Sequence, residues 1–307
     1  MKKILGVLCL ILSYAGTSFG QDKGVTGLTK ADTNHFWHHT GITNINFNQV
    51  QLNNWQGGGQ NTIAGSGFLH MNSNFDNGTH QWDNKIEAAF GMIRLGNAHQ
   101  PFQKSDDYLQ LASTYARDLN KQWSIALGAE FKTTFAPGYK YGKDATGNTV
   151  AVQRLSQFMS PGYLQLGAGI KYKYKDLIYA IFSPVAGKMT VISNDSMAKA
   201  GVYGVPAGRH IRVQAGEAFK VGMKIPVMQN VVLESTLDMF GNYKHVQQQA
   251  VDWTLSLTCK INSLLTANVG TELLYDQDIA VTRDNGTVGP AVQFKEVIAI
   301  GIQYKLY

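Results

Sequence analysis

Clustered histidines are the first residues in the chain that could do chemistry. The segment HFWHH carries His35, His38 and His39, a spacing that could hold a metal ion. Only imidazoles are in view there, whereas a structural zinc site needs four ligands in defined places. A solvated strand start accounts for these histidines more simply, so we predict no metal site and no cofactor.

Acidic residues in the segment YDQDIAVTRDNG supply the hard oxygen ligands that calcium prefers. They are Asp276, Asp278 and Asp284, with Asn285 beside them. The segment lacks the regular ligand series of an EF-hand. We interpret these residues as turn-forming acids in contact with water, and a surface calcium site is the alternative.

A hydrolase would need a serine and a histidine brought together, with a third group that orients the histidine. No histidine in the mature chain stands beside a serine in a recognisable motif. His70 lies near the middle of an alternating segment, on its polar side, and is the one histidine that we would test. We predict that the protein is not an enzyme.

Charged side chains at alternate positions form the largest candidate group. In AVDWTLSLTCKI, residues 250–261, polar and apolar residues alternate throughout, so Asp252 and Lys260 fall on the side opposite Trp253. Charges arranged in this way can face a water-filled interior and select the ion or solute that passes. The candidate lumen-facing residues are Glu87, Glu130, Lys132, Lys220, Glu234, Asp238, Asp252, Lys260 and Glu272.

These residues belong to segments with a period of two, which is the signal of a β-strand. About twelve such segments occur, each close to the length that a tilted strand needs to cross a bilayer. An even number is typical of a single-chain bacterial barrel. The segments are 37–48, 61–72, 80–93, 107–117, 122–135, 162–173, 176–183, 213–225, 230–240, 250–261, 264–275 and 292–306.

The connections between the segments alternate in length. Short polar turns such as 118–121, 173–176 and 226–229 follow the even-numbered segments, and longer loops follow the odd-numbered ones. This asymmetry is typical of outer-membrane barrels. We predict an all-β fold, a single antiparallel transmembrane β-barrel of about twelve strands with short periplasmic turns and long extracellular loops. The predicted loops are 49–60, 94–105, 136–160, 184–212, 241–249 and 276–291.

The two faces of each strand can be assigned on energetic grounds. Packing the charged face into a dry core would cost several kcal/mol for each unpaired ion. Inside a hydrated barrel the same charges can pair across strands or contact water. We therefore expect the row that contains Trp253 to face lipid and the row that contains Asp252 to face the lumen.

The first residues read as a secretory signal peptide, with two lysines before an apolar run. We predict a signal peptide at 1–20, an N-terminal periplasmic segment at 21–34 and the barrel domain at 35–307. Of 27 basic residues, loss of Lys2 and Lys3 leaves 25 against 21 acidic ones. This mild, dispersed basicity argues against nucleic-acid binding.

Several segments resemble a known family. They are FNQVQLNNWQGGGQNTIA (47–64), KSDDYLQLASTYA (104–116), FKTTFAPGYKY (131–141), SPVAGKMTVI (183–192), AGVYGV (200–205), VDWTLSLTCKIN (251–262), YDQDI (275–279) and GPAVQFKEVIAIGIQYK (289–305). The chain is similar, from about Trp37 to its end, to an uncharacterised Bacteroidetes family of outer-membrane barrels catalogued as a domain of unknown function. The resemblance implies the barrel fold and brings no catalytic residues. The ending YKLY departs from the usual YKF by one extra residue.

Two functions remain open at this point. The first is a narrow channel or binding barrel that passes a small hydrophilic solute through a charged lumen in the outer membrane of a Gram-negative bacterium. The alternative is a non-conducting barrel that serves surface display or envelope assembly, and a hydrolase is a distant third. The expected partners are outer-membrane lipid, lipopolysaccharide and the barrel-assembly machinery.

Overall fold

The fold consists almost entirely of β-strands. The computed structural model describes residues 36–53, 56, 59–283 and 285–306, with the backbone alone at 246–248. Its strands are β1 (Trp37–Val50), β2 (Thr62–Asp76), β3 (His80–Leu95), β4 (Gln103–Asp118), β5 (Trp123–Thr133), β6 (Gly138–Lys143), β7 (Thr149–Ser156), β8 (Gly162–Tyr174), β9 (Ile178–Val191), β10 (Ile211–Met228), β11 (Val231–Asn242), β12 (His245–Lys260), β13 (Leu265–Asp276), β14 (Val281–Thr282), β15 (Val288–Gly289) and β16 (Gln293–Lys305). The helical elements in these ranges are one 3₁₀ turn at Lys175–Leu177 and one helix, α1 (Asp195–Ala200).

Neither helical element among the described residues is long and apolar enough to span a membrane. The predicted signal peptide and N-terminal segment lie outside the described residues.

Twelve of the strands close into one antiparallel barrel. Their order around the barrel is β1, β16, β13, β12, β11, β10, β9, β8, β5, β4, β3 and β2, and β2 returns to β1. Each predicted segment coincides with one barrel strand, so the predicted all-β barrel of twelve strands is confirmed. The other four strands form two hairpins, β6–β7 and β14–β15, within two of the long connections.

Short and long connections lie at opposite ends of the barrel. The short ones are 77–79, 119–122, 175–177, 229–230 and 261–264, and we call their end the short-turn rim. The long ones are 51–61, 96–102, 134–161, 192–210 and 277–292, and we call their end the long-loop rim. This is the asymmetry that the sequence predicts, with one exception.

The exception is the connection between β11 and β12. The loop predicted at 241–249 is wrong, because β11 continues to Asn242 and β12 begins at His245, which leaves a turn of two residues. The run HVQQQ has no apolar face and so gives no alternation signal. A polar segment nevertheless forms a strand where its neighbour pairs with its backbone, and β11 pairs here with His245 and Gln249, on either side of a register shift. β9 likewise continues to Val191, so the loop predicted at 184–212 is shorter than expected.

Asparagines fix three of the short turns. The Oδ1 atom of Asn77 accepts hydrogen bonds from the backbone N–H groups of the second and third residues after it. Asn120 and Asn262 repeat this arrangement in their own turns. A side chain that satisfies backbone donors locally favours a turn over continuation of the strand. The local sequence thus ends β2, β4 and β12 at the same rim.

The outer surface of the barrel is apolar and exposed. On β16, Ile298, Ile300 and Ile302 are all exposed, and Trp253 on β12 is 46% exposed. Apolar rows of this extent are rare on surfaces that contact water, and they match the lipid-facing surface of a membrane barrel. The outward orientation predicted for the Trp253 row agrees with this exposure.

Aromatic rings gather near both rims of the outer surface. Near the short-turn rim, the rings of Trp123 and Tyr172 lie 4.8 Å apart. Near the long-loop rim, Phe90 and Phe135 lie 5.5 Å apart. Trp253 lies between these two groups of rings, in the middle of β12.

Candidate functional site in the barrel lumen

The lumen contains a cluster of charges that joins opposite walls. Lys132 on β5 places its Nζ 2.9 Å from Glu130 Oε1 and 2.8 Å from Asp252 Oδ2 on β12. Four strands, β8 to β11, separate β5 from β12 around the wall. The contact between Lys132 and Asp252 therefore crosses the lumen.

A second lysine joins the same group. Lys220 on β10 donates to Asp238 at 2.8 Å and also to Glu130. We call Glu130, Lys132, Lys220, Asp238 and Asp252 the central charge cluster. It contains three carboxylates and two ammonium groups, so its formal charges sum to minus one although each carboxylate contacts a lysine.

Neutral amides complete the surroundings of the central charge cluster. Gln110 donates to Glu130 at 3.0 Å, and Gln165 donates to Asp238 at 3.3 Å. The Oδ1 atom of Asp252 is buried and has no hydrogen-bond partner among the described residues. This oxygen is therefore a buried acceptor that the described residues leave unsatisfied.

The other four predicted lumen residues lie outside the central charge cluster. Glu87 contacts His70 at 2.8 Å and Lys85 at 3.1 Å. Glu234 pairs with Lys224 on the neighbouring strand. The remaining two are Glu272, 4.0 Å from Lys295, and Lys260, which is exposed at the end of β12.

Accessible charges lie on both sides of the central charge cluster. Toward the short-turn rim, Lys224 and Glu234 are 65% and 46% exposed. Toward the long-loop rim, Lys295 and Glu272 are both 40% exposed. Within the cluster, Glu130 and Asp238 are only 12% exposed. Solvent therefore enters both halves of the lumen, and the central charge cluster forms a waist between them.

Further ion pairs cross the lumen near both rims. Near the short-turn rim, Lys171 on β8 lies 3.1 Å from Asp83 on β3. Near the long-loop rim, Lys295 on β16 lies 2.7 Å from Asp106 on β4. The sequence gives no sign of these pairs, because side-chain parity places a residue in the lumen without identifying its partner across it.

The acids that we predicted to be solvated bind cationic side chains instead. Asp276 lies 2.7 Å from Lys188, and both side chains are largely buried. Asp278 lies 2.8 Å from Arg212. No group of potential ligands for a metal ion occurs among the described residues, which do not include His35 or Asp284. Lys188 was missed because it fell in a predicted loop.

The loop 192–210 folds across part of the barrel mouth. Its core consists of Ile192, Met197, Ala198 and Val205, and Asn194 caps the N-terminus of α1. Gly204 lies against Asp278 on the β13 side, where a Cβ atom would come within 2.8 Å of the Asp278 Cβ atom. The positive φ of 68° to 79° at Gly201, Gly204 and Gly208 suits glycine.

A tyrosine ties this loop to the neighbouring long connection. The hydroxyl of Tyr203 donates to the carbonyl oxygen of Leu155 at 2.7 Å. Burial raises the pKa of Tyr203 above its ordinary value, so the hydroxyl keeps its proton and remains a donor. The mouth of the barrel is thus partly covered by an ordered loop.

The charges are distributed unequally around the wall. Lys132, Lys171, Lys188 and Lys220 lie on four consecutive strands of the barrel, β5, β8, β9 and β10. Asp238, Asp252 and Glu272 lie on the next three strands, β11 to β13. A mainly basic wall, which also carries Glu130 on β5, and a mainly acidic wall, which also carries Lys260 on β12, therefore border the same lumen. The field between them has a component transverse to the barrel axis.

The contacts of His70 do not assemble a hydrolase. Its Nδ1 atom lies 2.8 Å from Glu87 and its Nε2 atom 2.7 Å from the Asn72 amide. Both ring nitrogens therefore contact groups other than a serine hydroxyl within the described part of the chain. A nucleophile and an activating base would have to be adjacent for acyl transfer.

Comparisons with known proteins give a family match and distant structural likenesses. Residues 47–139 match the model of a family described as "Protein of unknown function (DUF3078)". No curated protein matches the sequence. An outer membrane channel from Pseudomonas putida F1 is 14% identical, with a TM-score of 0.37 over 87% of this chain and 94% of that one.

Two further solved structures show similar degrees of likeness. The NanC porin is 9% identical, with a TM-score of 0.39 over 87% of this chain and 100% of that one. The translocator domain of the autotransporter NalP from Neisseria meningitidis is 8% identical, with a TM-score of 0.33 over 99% of this chain and 95% of that one.

Proposed function

We propose that the protein is an outer-membrane barrel whose lumen is a narrow, charged channel for a small hydrophilic solute. Its apolar outer surface suits lipid, and its charged interior suits water and polar solutes. The short-turn rim faces the periplasm and the long-loop rim faces outward, where lipopolysaccharide surrounds the barrel. Export through a cleaved signal peptide and insertion by the barrel-assembly machinery complete this proposal.

The observation that carries the proposal is the waist formed by the central charge cluster. Accessible charged segments lie on both sides of it, so a solute that enters either half meets the same group of charges. The basic wall and the acidic wall face one another at the waist. A solute that carries both a positive and a negative group, or that is polar and uncharged, can orient between them.

A second candidate function rests on a different observation. Ion pairs cross the lumen at several levels, and the loop 192–210 covers part of the mouth. A barrel closed in this way would serve as a scaffold for surface display or envelope assembly. The two candidates make opposite predictions about conductance.

Single-channel recording in a planar bilayer tests the proposed function. We expect the refolded protein to show small, steady conductance, with an ion preference measurable in a salt gradient. Replacing Lys132 and Lys220 by glutamine removes both cations from the waist and leaves its three acids. The reversal potential should then shift toward cation selectivity, because the waist becomes more negative.

Lys143→Gln is the matched control, since Lys143 lies on the β6–β7 hairpin away from the lumen. Unchanged selectivity in the Lys132/Lys220 variant would remove these lysines from the pathway. A correctly inserted barrel that never conducts would favour the scaffold.

A further inference from the structure

The seam between β1 and β16 is much shorter than the other seams of the barrel. β1 has four register partners on β16, from Ile42 with Lys305 to Ile45 with Ile302. By contrast, β1 has fourteen partners on β2, and β16 has ten on β13. Beyond Ile45 the described strand residues 46–50 and 293–301 have no register partners across this seam.

A glycine and an asparagine meet where the pairing ends. A Cβ atom on Gly301 would come within 1.9 Å of Asn46 Oδ1 and 2.8 Å of the Ile45 carbonyl oxygen. The Asn46 amide thus lies in the space that a side chain at 301 would need. Its Nδ2 atom donates to Ser66 at 3.3 Å on the other side. The paired part of the seam therefore ends at a polar group that points into the barrel.

The unpaired edges lie on the half of the barrel toward the long-loop rim. Backbone N–H and C=O groups that face hydrocarbon without partners are strongly unfavourable. They are tolerated where they are buried in protein or line a water-filled cavity. Five residues of β1 extend beyond the seam, a length of about 16 Å at the usual rise of a strand. The wall thus lacks register pairing across this seam over that length, and we call this stretch of the seam the lateral opening.

The two sides of this opening differ sharply in polarity. Asn46 and Asn48 line the inward side of β1 at the opening, and Asn44 precedes them on the same row within the paired seam. The Oδ1 atoms of Asn44 and Asn46 are buried without hydrogen-bond partners in the described part of the chain. The outward residues are apolar, with Phe47 and Ile298 each 66% exposed. A molecule that passes between β1 and β16 therefore meets amides inside and hydrocarbon-like side chains outside.

From this arrangement we propose that the opening between β1 and β16 is a lateral binding site for an amphiphile, with its polar head among the inward asparagines and its acyl chain against Phe47 and Ile298. The inference goes beyond passage of a hydrophilic solute along the barrel axis. It connects the lumen sideways to the membrane leaflet at the long-loop rim. An added β-strand from another chain is the competing occupant, and the test separates the two.

The first experiment measures whether the seam is open, with cysteine pairs in a Cys259→Ser background. Asn44→Cys with Gln303→Cys joins register partners within the paired seam. Asn48→Cys with Ala299→Cys lies four residues further along the same inward row. Because pair geometry alternates along an antiparallel ladder, both pairs would have equivalent geometry if the register continued.

Mild oxidation of the inserted protein should cross-link the first pair and leave the second pair reduced, because separated strands hold their Cβ atoms too far apart for a disulfide. Equal cross-linking of both pairs would show a closed wall and overturn the proposal.

The second experiment identifies the occupant, with a lysophospholipid that carries a photoactivatable diazirine on its head group as the probe. Irradiation of the wild-type barrel in vesicles should place adducts on β1 and β16 residues at the opening, including the inward residues Asn46 and Asn48. Thr254, an exposed residue on the inward face of β12, is the matched control and should carry none.

Adducts confined to outward residues would mean that the head group does not enter the opening, and this result would contradict the proposal. A polypeptide cross-linked along β1 would assign the edge to strand addition and would also overturn it. Conductance recorded on the reduced cysteine variants tests the proposed channel separately from the lateral site. A closed or unoccupied lateral site would leave the axial pathway, and so the conductance, unchanged.

Discussion

At the scale of single residues, Lys220 holds the central charge cluster together. It contacts Glu130 and Asp238, which lie on different walls of the lumen and are both poorly exposed. A buried carboxylate that loses its cation is left with a desolvation cost that nothing offsets. The stability of the barrel should therefore depend on this ammonium group.

We expect Lys220→Met to destabilise the folded barrel by about 3 kcal/mol, the usual cost of breaking a buried ion pair by removing one partner. Urea unfolding of the barrel in detergent micelles measures this difference. Adding Asp238→Asn should restore part of the loss, because the second substitution removes the carboxylate that loses its cation, whereas Glu130 keeps its contact with Lys132. Equal stability of Lys220→Met and the wild type would show that water solvates both carboxylates.

At this scale the sequence predicts which face of a strand a residue occupies, but it does not predict the ion-pair partner across the lumen. Alternation placed Lys132 and Asp252 inside the barrel on two strands far apart in the chain. Their contact depends on the curvature of the closed wall, which no local pattern records. Asp276 and Asp278 were assigned to a solvated loop, because their cationic partners, Lys188 and Arg212, fell within another predicted loop.

At the scale of elements, the loop 192–210 determines how far the mouth is open. Arg212 binds the Gly204 carbonyl oxygen at 3.0 Å and Asp278 at 2.8 Å, so one guanidinium joins the loop to the β13 side. Gln214 adds a hydrogen bond to Asp278 at 3.0 Å. Asp278 is therefore the acceptor on which both contacts converge.

Asp278→Asn should loosen this loop, because a neutral amide replaces the carboxylate that holds Arg212. We expect larger single-channel conductance and faster tryptic cleavage after the exposed Lys199 of α1. Asp144→Asn is the matched control, since Asp144 accepts hydrogen bonds only within its own turn in the described structure. Identical cleavage rates in both variants would indicate that the apolar core of the loop holds it without Asp278.

The strands themselves followed from the sequence more closely than the loops did. Alternation identified all twelve barrel strands because each has one apolar face and one polar face. It failed at residues 245–249 of β12, where both faces are polar. The fold of 192–210 was also out of reach, because its small core depends on contacts between side chains that no period connects.

At the scale of the whole molecule, eleven seams of the barrel are long and one is short. Most neighbours in the barrel are consecutive in the chain, so each hairpin can pair its own strands. β1 and β16, in contrast, are the first and last strands of the barrel. Their pairing closes the entire wall with four register pairs.

This short seam has a consequence for the order of folding. Joining distant parts of a chain costs more conformational entropy than joining the arms of a hairpin, and here few hydrogen bonds offset that cost. The wall should assemble as a curved open sheet, with closure of β1 onto β16 as the final step and its reopening as the first step of unfolding.

Pulse-labelled hydrogen exchange during refolding tests this order. The amides of Thr43 and Tyr304 should gain protection after those of the β3–β4 hairpin. Simultaneous protection at both places would instead mean that the wall closes as the strands pair. If closure comes last, the seam that we propose as a lateral site is also the place where a nascent barrel remains open to its assembly partners.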